Sequence, residues 1–350
     1  MKIAIVRQRY NPYGGAERFV ERALSALVKE GAEISLITRH WEGAEHSGGY
    51  RQIRCDPPYR GRLSRDRGFV RCAQQQMAAG GFDITQAHER VPGCMIFRAG
   101  DGVHAAWLDR LRRLRGPLGR LGVALNPYHR HVLRAEREMF AHPALRAVIC
   151  NSRMVRDEIV RYYQVAPEKL HVIYNGIDLD AFHPRLAGEH RQRLRAELGI
   201  AGEAPLFLYV GNGFERKGVP QLLRAFAGME RRDARLAIVG GDKHLHAMQR
   251  LAGRLGIAER VHFAGPQRDV KPWYGAADAF VLPTLYDPFP NAGLEALACG
   301  LPVVTSADSG TAELIVDDAN GYVCDFFAES TLTHSLERMA QGGQIGRAHV

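Results

Sequence analysis

The pattern that most restricts this chain is a strand, glycine loop, helix and strand unit that occurs twice, at the N-terminus and again after residue 205. Lys2 to Val6 reads as a strand, and Arg7 to Tyr13 carries it into Gly14-Gly15. A helix follows from about Ala16, with Phe19, Val20, Ala23, Leu24 and Leu27 on one stripe, and Ile34 to Thr38 is the next strand. The second series has strands at Leu206–Val210, Leu236–Val239, Val261–Phe263 and Asp278–Leu282, with helices from Pro220 past Phe226 and from His246 to Leu255. Alternation of this kind packs helices on both faces of a parallel sheet, and two separate series predict an α/β protein of two doubly wound, Rossmann-like domains. The predicted division is 1–175, a polar, arginine-rich linker at 176–204, and a second domain at 205–340. Residues 341–350 lack apolar periodicity and are expected to be disordered or a truncated end.

Within the first half, residues 43–70 are rich in glycine and arginine and read as a long loop. Short strands are expected at Phe82–His88, Met95–Phe97 and Ala147–Ser152, with Ser152 capping a helix from Arg153 to Tyr163. The six cysteines are scattered without a Cys-x-x-Cys pair, which predicts free thiols in a reducing cytoplasm, neither a disulfide framework nor a zinc site. No apolar run approaches the roughly 20 residues that span a bilayer, and the N-terminus is interrupted too early by Arg7 for a signal peptide.

Net charge is +9, which calls for an anionic partner. Membrane surface, nucleic acid and phosphorylated glycans all qualify. The most basic stretch, Trp107 to Arg137, holds eight arginines against Asp109 and Glu136, with leucines interleaved. An anionic membrane interface and an ordinary helix pair with a solvated basic face both explain it. No compact aromatic and basic module for nucleic acid is present.

Chemistry concentrates in Pro283–Val304. Pro288 and Pro290 exclude a helix from its first half, the pattern turns helical from about Asn291, and Gly300-Leu301-Pro302 stops it. A helix start at a strand's carboxyl end attracts phosphate, and Asp287 and Glu295 beside it accept hydrogen bonds from hydroxyl groups. Gly211 to Gly218 supplies an open backbone with adjacent cations, Arg216 and Lys217, suited to a pyrophosphate or to nothing more than a solvated turn. Gly14-Gly15 is either a tight turn or a close approach for a diphosphate; it is not the Gly-x-Gly-x-x-Gly of dinucleotide binding. In Arg98–His104, Asp101 and His104 sit at a strand's carboxyl end, where position alone favours a turn aspartate and a solvated histidine.

Taken together, Asn175-Gly176-Ile177-Asp178, Gly211 through Arg216-Lys217-Gly218, and Asp287-x7-Glu295-Ala296 with Cys299-Gly300-Leu301-Pro302-Val303 resemble glycosyltransferase family 4, of GT-B fold. Tyr10–Arg18 and His40-Trp41-Glu42-Gly43 narrow the resemblance to lipopolysaccharide core heptose glucosyltransferases. The resemblance implies two domains facing each other across a cleft, the first binding acceptor and the second the nucleotide-sugar. It implies retaining, metal-independent hexose transfer, with UDP-glucose as donor and inner-core heptose as acceptor, and no cofactor. Glu295 is then expected on the ribose, Asp287 on the donor sugar, and the amides of Asn291, Ala292 and Gly293 on the same sugar. Arg216 and Lys217 are expected to neutralise the leaving diphosphate, Gly14 and Gly15 to admit it, and Asp101 and His104 to face the reacting centre. The implied setting is cytoplasmic, peripheral to the inner membrane through the basic stretch, without nucleic acid. The family more often has Glu where this chain has Asp287, one methylene shorter. Three alternatives remain: another acceptor within the family, an NAD-dependent oxidoreductase, and a non-catalytic basic module for membrane or nucleic acid.

Overall fold

A computed structural model describes residues 1–9, 24, 26–40 and 49–341. The chain divides into two compact units, Met1–Asn175 and Gly176–Val350, each built on one parallel sheet.

The first sheet has seven strands: β1 (Lys2–Val6), β2 (Glu33–Thr38), β3 (Arg51–Arg54), β4 (Ile84–Ala87), β5 (Ile96–Arg98), β6 (Ala147–Cys150) and β7 (Leu170–Val172). Their order is β3-β2-β1-β4-β5-β6-β7, every neighbour parallel. β1 is central, which is why four of its five residues are buried. Leu24, from the apolar stripe read in the sequence, packs fully buried against Ile3, Ile5, Ile34 and Leu36.

Residues 43–70 are not one long loop. Within them lie β3 and the start of helix α1 (Gly61–Ala79), whose buried residues Phe69, Ala73 and Met77 recur every fourth position. That stripe lies mostly beyond residue 70, so the arginine-rich first turns hid it. The expectation that every cysteine is free is also corrected: Cys55, just after β3, is bonded to Cys72 on α1, with Cα atoms 5.7 Å apart. Only the packing of α1 beside β3 brings together two cysteines with no motif between them. The other four cysteines are free and buried, and the cysteine argument for a reducing compartment no longer holds.

Trp107–Arg137 falls in three helices instead of a pair: α2 (His104–Leu114), α3 (Pro117–Leu125) and α4 (Pro127–Phe140). Helix α5 (Arg153–Tyr163) follows β6, and Ser152 caps it as expected, accepting from the Val155 amide at 3.1 Å. No helix among the described residues is long and apolar enough to cross a membrane.

The second sheet has six strands: β8 (Leu206–Val210), β9 (Arg235–Val239), β10 (Val261–Gly265), β11 (Ala279–Leu282), β12 (Val303–Ser306) and β13 (Gly321–Cys324), ordered β10-β9-β8-β11-β12-β13 and all parallel. The order reverses between β8 and β11. Such a switch point opens a crevice at the carboxyl ends of the strands, and the loops after β8, β11 and β12 all start from that edge. Helices α7 (Val219–Ala227), α8 (Leu245–Arg254), α9 (Lys271–Ala276), α10 (Asn291–Ala298) and α11 (Glu329–Ala340) accompany the strands. The segment expected as a linker contains helix α6 (Leu186–Glu197). It docks on α9 so closely that a Cβ on Gly275 would meet the Leu186 carbonyl at 2.3 Å. Arg191 and Arg195 hold Asp278 at 2.6 and 3.0 Å, fixing α6 to the start of β11.

Candidate functional site

In the second unit the site is assembled by three loops. The first leaves β8 at Gly211, a position where a Cβ would lie 2.9 Å from Lys217 Cδ; glycine there makes room for the lysine stem to fold back along the loop. Gly218 ends this loop at φ +79°, and a Cβ on it would lie 1.9 Å from the Pro283 carbonyl oxygen. Only glycine tolerates both the backbone and the contact, so the cation loop is pressed onto the loop that carries the first acid. The Leu285 amide donates to the Arg216 carbonyl at 2.8 Å and closes the seam.

Asp287 therefore lies beside both cations. Its Oδ2 is 3.5 Å from Arg216 Nη1 and 3.4 Å from Lys217 Nζ, with Asp287 itself buried. The Arg216 guanidinium also donates to the Tyr286 carbonyl at 2.7 Å. The third loop runs alongside: the Asp287 amide donates to the Asp308 carbonyl at 3.1 Å, and Gly310 donates back to the Asp287 carbonyl at 2.9 Å.

Pro288 and Pro290 keep the chain extended until α10 starts at Asn291, as the sequence reading expected. Asn291 and Ala292 are half-buried and Gly293 is buried in the first turn, where the Gly293 amide donates to the Pro290 carbonyl at 3.1 Å. Glu295 lies one turn on, 5% exposed, and its Oε2 accepts a hydrogen bond from the Tyr274 hydroxyl at 2.9 Å. That hydroxyl also lies 3.2 Å from the Ala292 carbonyl. Tyr274, on α9, was missed in the sequence because nothing local marks it; it stands 21 residues from the acid it orients. Tyr209, the fourth residue of β8, was also missed. It is fully buried, and burial pushes its hydroxyl far above the ordinary phenol range in the field of Arg216, Asp287 and Asp242.

Gly14 and Gly15 lie outside the described residues. In the first unit Asp101 and His104 stand at the carboxyl edge of the sheet, in different surroundings. Asp101 is half-exposed, 3.8 Å from Arg7 Nη1. His104 is not a solvated histidine: it opens α2, its amide donates to Glu136 Oε1 at 2.8 Å, and its Nε2 lies 3.2 Å from His129 Nδ1. Burial first, then the Arg90 charge, brings its pKa down to about 3, so the imidazole is neutral at physiological pH. Glu136, almost completely buried, organises this corner by also accepting from Arg90 Nε at 2.8 Å and from the Tyr163 hydroxyl at 2.5 Å.

His88 was passed over in the sequence. It follows β4 directly, is 5% exposed, and burial together with the Arg98 and Arg7 charges holds it neutral. The rule that picked out Asp101, a polar group just past a strand's carboxyl end, applies equally to His88 and would have found it. Among the described residues no cluster of His, Cys, Asp and Glu is placed to hold a metal ion.

Two family models match. "Glycosyltransferase Family 4" aligns with residues 13–181 and "Glycosyl transferases group 1" with residues 190–344. The lipopolysaccharide glucosyltransferase WaaG of Escherichia coli K12 is 27% identical over 343 residues, covering 97% of this chain and 89% of that protein. A D-inositol 3-phosphate glycosyltransferase of Xylanimonas cellulosilytica is also 27% identical, over 339 residues, with 89% and 80% covered. A crystal structure of WaaG superposes with a TM-score of 0.83 at 26% identity, covering 97% of this chain and 90% of that one.

Proposed function

Because the chain belongs to glycosyltransferase family 4 and has the two Rossmann-like domains of the GT-B fold, we propose that it transfers glucose from UDP-glucose to a lipopolysaccharide inner-core heptose. The reaction retains anomeric configuration and uses no metal or cofactor. The observation that carries the donor half is the junction of Arg216, Lys217 and Asp287 beside the start of α10. Two cations and a helix N-terminus are suited to a diphosphate, and two carboxylates to the hydroxyls at either end of it.

In this reading Glu295, oriented by Tyr274, accepts from the ribose hydroxyls, and Asp287 accepts from the hexose. The amides of Asn291, Ala292 and Gly293 approach the same sugar. The largest charge that develops is on the departing diphosphate, and Arg216 and Lys217 stabilise it. Donor binding then exchanges partners, since both cations face Asp287 before a phosphate arrives. Asp101 and His104 serve the reacting centre, and Gly14 and Gly15 admit the diphosphate. The neutral His104 imidazole is suited to hydrogen bonding, not to charge neutralisation.

The membrane half rests on α3 and its flank. Leu118, Leu121 and Leu125 are exposed by 86, 55 and 63% and spaced as one face of α3, Leu114 at the end of α2 is exposed by 43%, and Arg112, Arg113, Arg115 and Arg120 lie nearby in the chain. Exposed apolar side chains in an arginine-rich stretch suit an anionic bilayer surface, where each cation contributes about 1 kcal/mol. In this reading the enzyme works at the cytoplasmic face of the inner membrane. The likeness to a D-inositol 3-phosphate glycosyltransferase supports a second acceptor class, phosphorylated polyols.

The test is transfer of labelled glucose from UDP-glucose to heptose-terminated core, with an inositol phosphate acceptor in parallel. Glu295→Ala is expected to abolish nucleotide binding. Failure of every UDP-, ADP- or GDP-sugar to bind or turn over refutes the reading. Leu118→Ser with Leu121→Ser is expected to reduce binding to anionic vesicles but not solution turnover; equal binding to neutral and anionic vesicles refutes the membrane half.

A further inference from the structure

We infer that the hydroxyls of Thr311 and Ser309 complete an anion subsite at the start of α10 that takes the sugar-side phosphoryl group of the donor. The inference rests on the nucleotide-sugar reading above and deepens it.

Ser309, Gly310 and Thr311 form the third loop at the switch-point edge. It is held against the Asp287 loop by the two backbone hydrogen bonds already described, as a short parallel bridge between Asp287 and Ser309. Gly310 admits no side chain, since its Cβ would lie 1.9 Å from the Pro288 carbonyl oxygen. The loop is thus fixed in place, and the residues on either side of Gly310 have little freedom to move. Thr311 faces the helix start: its Oγ1 lies 3.0 Å, and its Cγ2 2.8 Å, from where a Cβ on Gly293 would stand. Gly293 is the third residue of α10, and its own amide donates to the Pro290 carbonyl at 3.1 Å.

Both hydroxyls are buried, Thr311 at 0% and Ser309 at 1% exposure, and among the described residues neither Oγ has a hydrogen-bond partner. A buried hydroxyl without a partner is costly, and most native polar groups avoid that state. Two of them flank one fixed glycine, Thr311 against the helix start and Ser309 bridged to Asp287, the residue that Arg216 and Lys217 face, and there they can donate to an oxyanion. A phosphoryl group offers several acceptor oxygens, so both hydroxyls are satisfied together. The hydroxyls add direction to the charge that Arg216 and Lys217 supply.

The variants are Thr311→Val, which keeps the β-branched packing on Gly293, Thr311→Ser, which keeps the hydroxyl, and Ser309→Ala. Calorimetry measures binding of UDP, ADP and GDP and of the matching monophosphates; melting temperature checks folding. Thr311→Val is expected to weaken the diphosphate that wild type binds best by about tenfold, the loss of one hydrogen bond to a charged group, and to leave the monophosphate unchanged. Thr311→Ser stays near wild type, and Ser309→Ala weakens the diphosphate in the same selective way. Unliganded Thr311→Val melts no lower than wild type, because an unpartnered hydroxyl has been removed. Diphosphate binding that is unchanged, or weakened no more than monophosphate binding, overturns the subsite. Should Thr311→Val fail to fold, the same comparison on Ser309→Ala decides. Wild type that binds none of the diphosphates overturns the donor reading itself.

Discussion

The hydrogen bond from Tyr274 to Glu295 gives the sharpest test of how the proposed donor site is held. Tyr274→Phe removes one oxygen and leaves the ring, so the contacts with Phe182 and Phe280, at centroid distances of 5.8 and 6.0 Å, are retained. The change is therefore electrostatic rather than a cavity. The hydroxyl it removes donates to Glu295 Oε2 at 2.9 Å, inside a site where Tyr274 is 1% and Glu295 5% exposed. A hydrogen bond to a buried charged acceptor is worth about 1.5–3 kcal/mol, because the group left behind recovers little solvation. In a unit of this size, about 2 kcal/mol corresponds to a fall of roughly 4–8 °C in melting temperature. Under the proposed donor reading, nucleotide affinity is expected to fall about tenfold as well, since a carboxylate that has lost one of its partners aims less well at the ribose hydroxyls. Calorimetric unfolding and nucleotide titration read the two effects separately. The double variant with Glu295→Gln supplies the control: if the bond is the cause, the two changes are strongly non-additive in stability. Tyr274→Phe that melts within 1 °C of wild type and binds nucleotide equally well refutes the orienting role.

Gly218→Ala is expected to cost more than 3 kcal/mol, because φ +79° and a Cβ 1.9 Å from the Pro283 carbonyl oxygen strain it twice. Gly213→Ala, at the same φ with open space around it, should cost only about 1 kcal/mol; equal melting temperatures would contradict the argument. His104, with its folded pKa near 3, binds no proton between pH 3 and 6.5 while the unfolded chain does. Its contribution to stability is complete above pH 6.5 and is lost as pH falls, by about 1–2 kcal/mol at pH 5 after allowing for partial exposure. Its imidazole resonances should not titrate above pH 5, and His104→Asn should flatten that limb of the stability curve. Reduction of Cys55–Cys72 opens a short loop and is expected to cost about 3 kcal/mol. Dithiothreitol should lower the melting temperature of wild type and leave Cys55→Ser with Cys72→Ser unchanged.

What the sequence disclosed and what it concealed follow one physical division. Information carried by chain-local rules was legible: glycine and proline stop or start helices wherever they stand, so α10 and its flanking acids could be placed from Pro288, Pro290 and Gly300 alone. The parallel sheets were legible for the same reason, as short apolar runs between glycine loops. The interactions that aim those acids belong to pairs far apart in the chain. Tyr274 meets Glu295 across 21 residues, Arg216 meets Asp287 across 71, and Cys55 meets Cys72 only once α1 has packed. No spacing rule encodes such a pair, because the separation depends on which strands become neighbours. The order β10-β9-β8-β11-β12-β13 supplies that information. With β8 beside β11 and β11 beside β12, the loops bearing Arg216, Asp287 and Thr311 must emerge side by side from one edge. Glycine at 218 and 310 then lets those loops touch backbone to backbone. In a site assembled in this way the position of the first acid is set by three clamped loops rather than by side-chain length. Lengthening it tests that conclusion: Asp287→Glu should push the carboxylate into Arg216 and Lys217, already 3.5 and 3.4 Å away, and lower donor affinity instead of raising it.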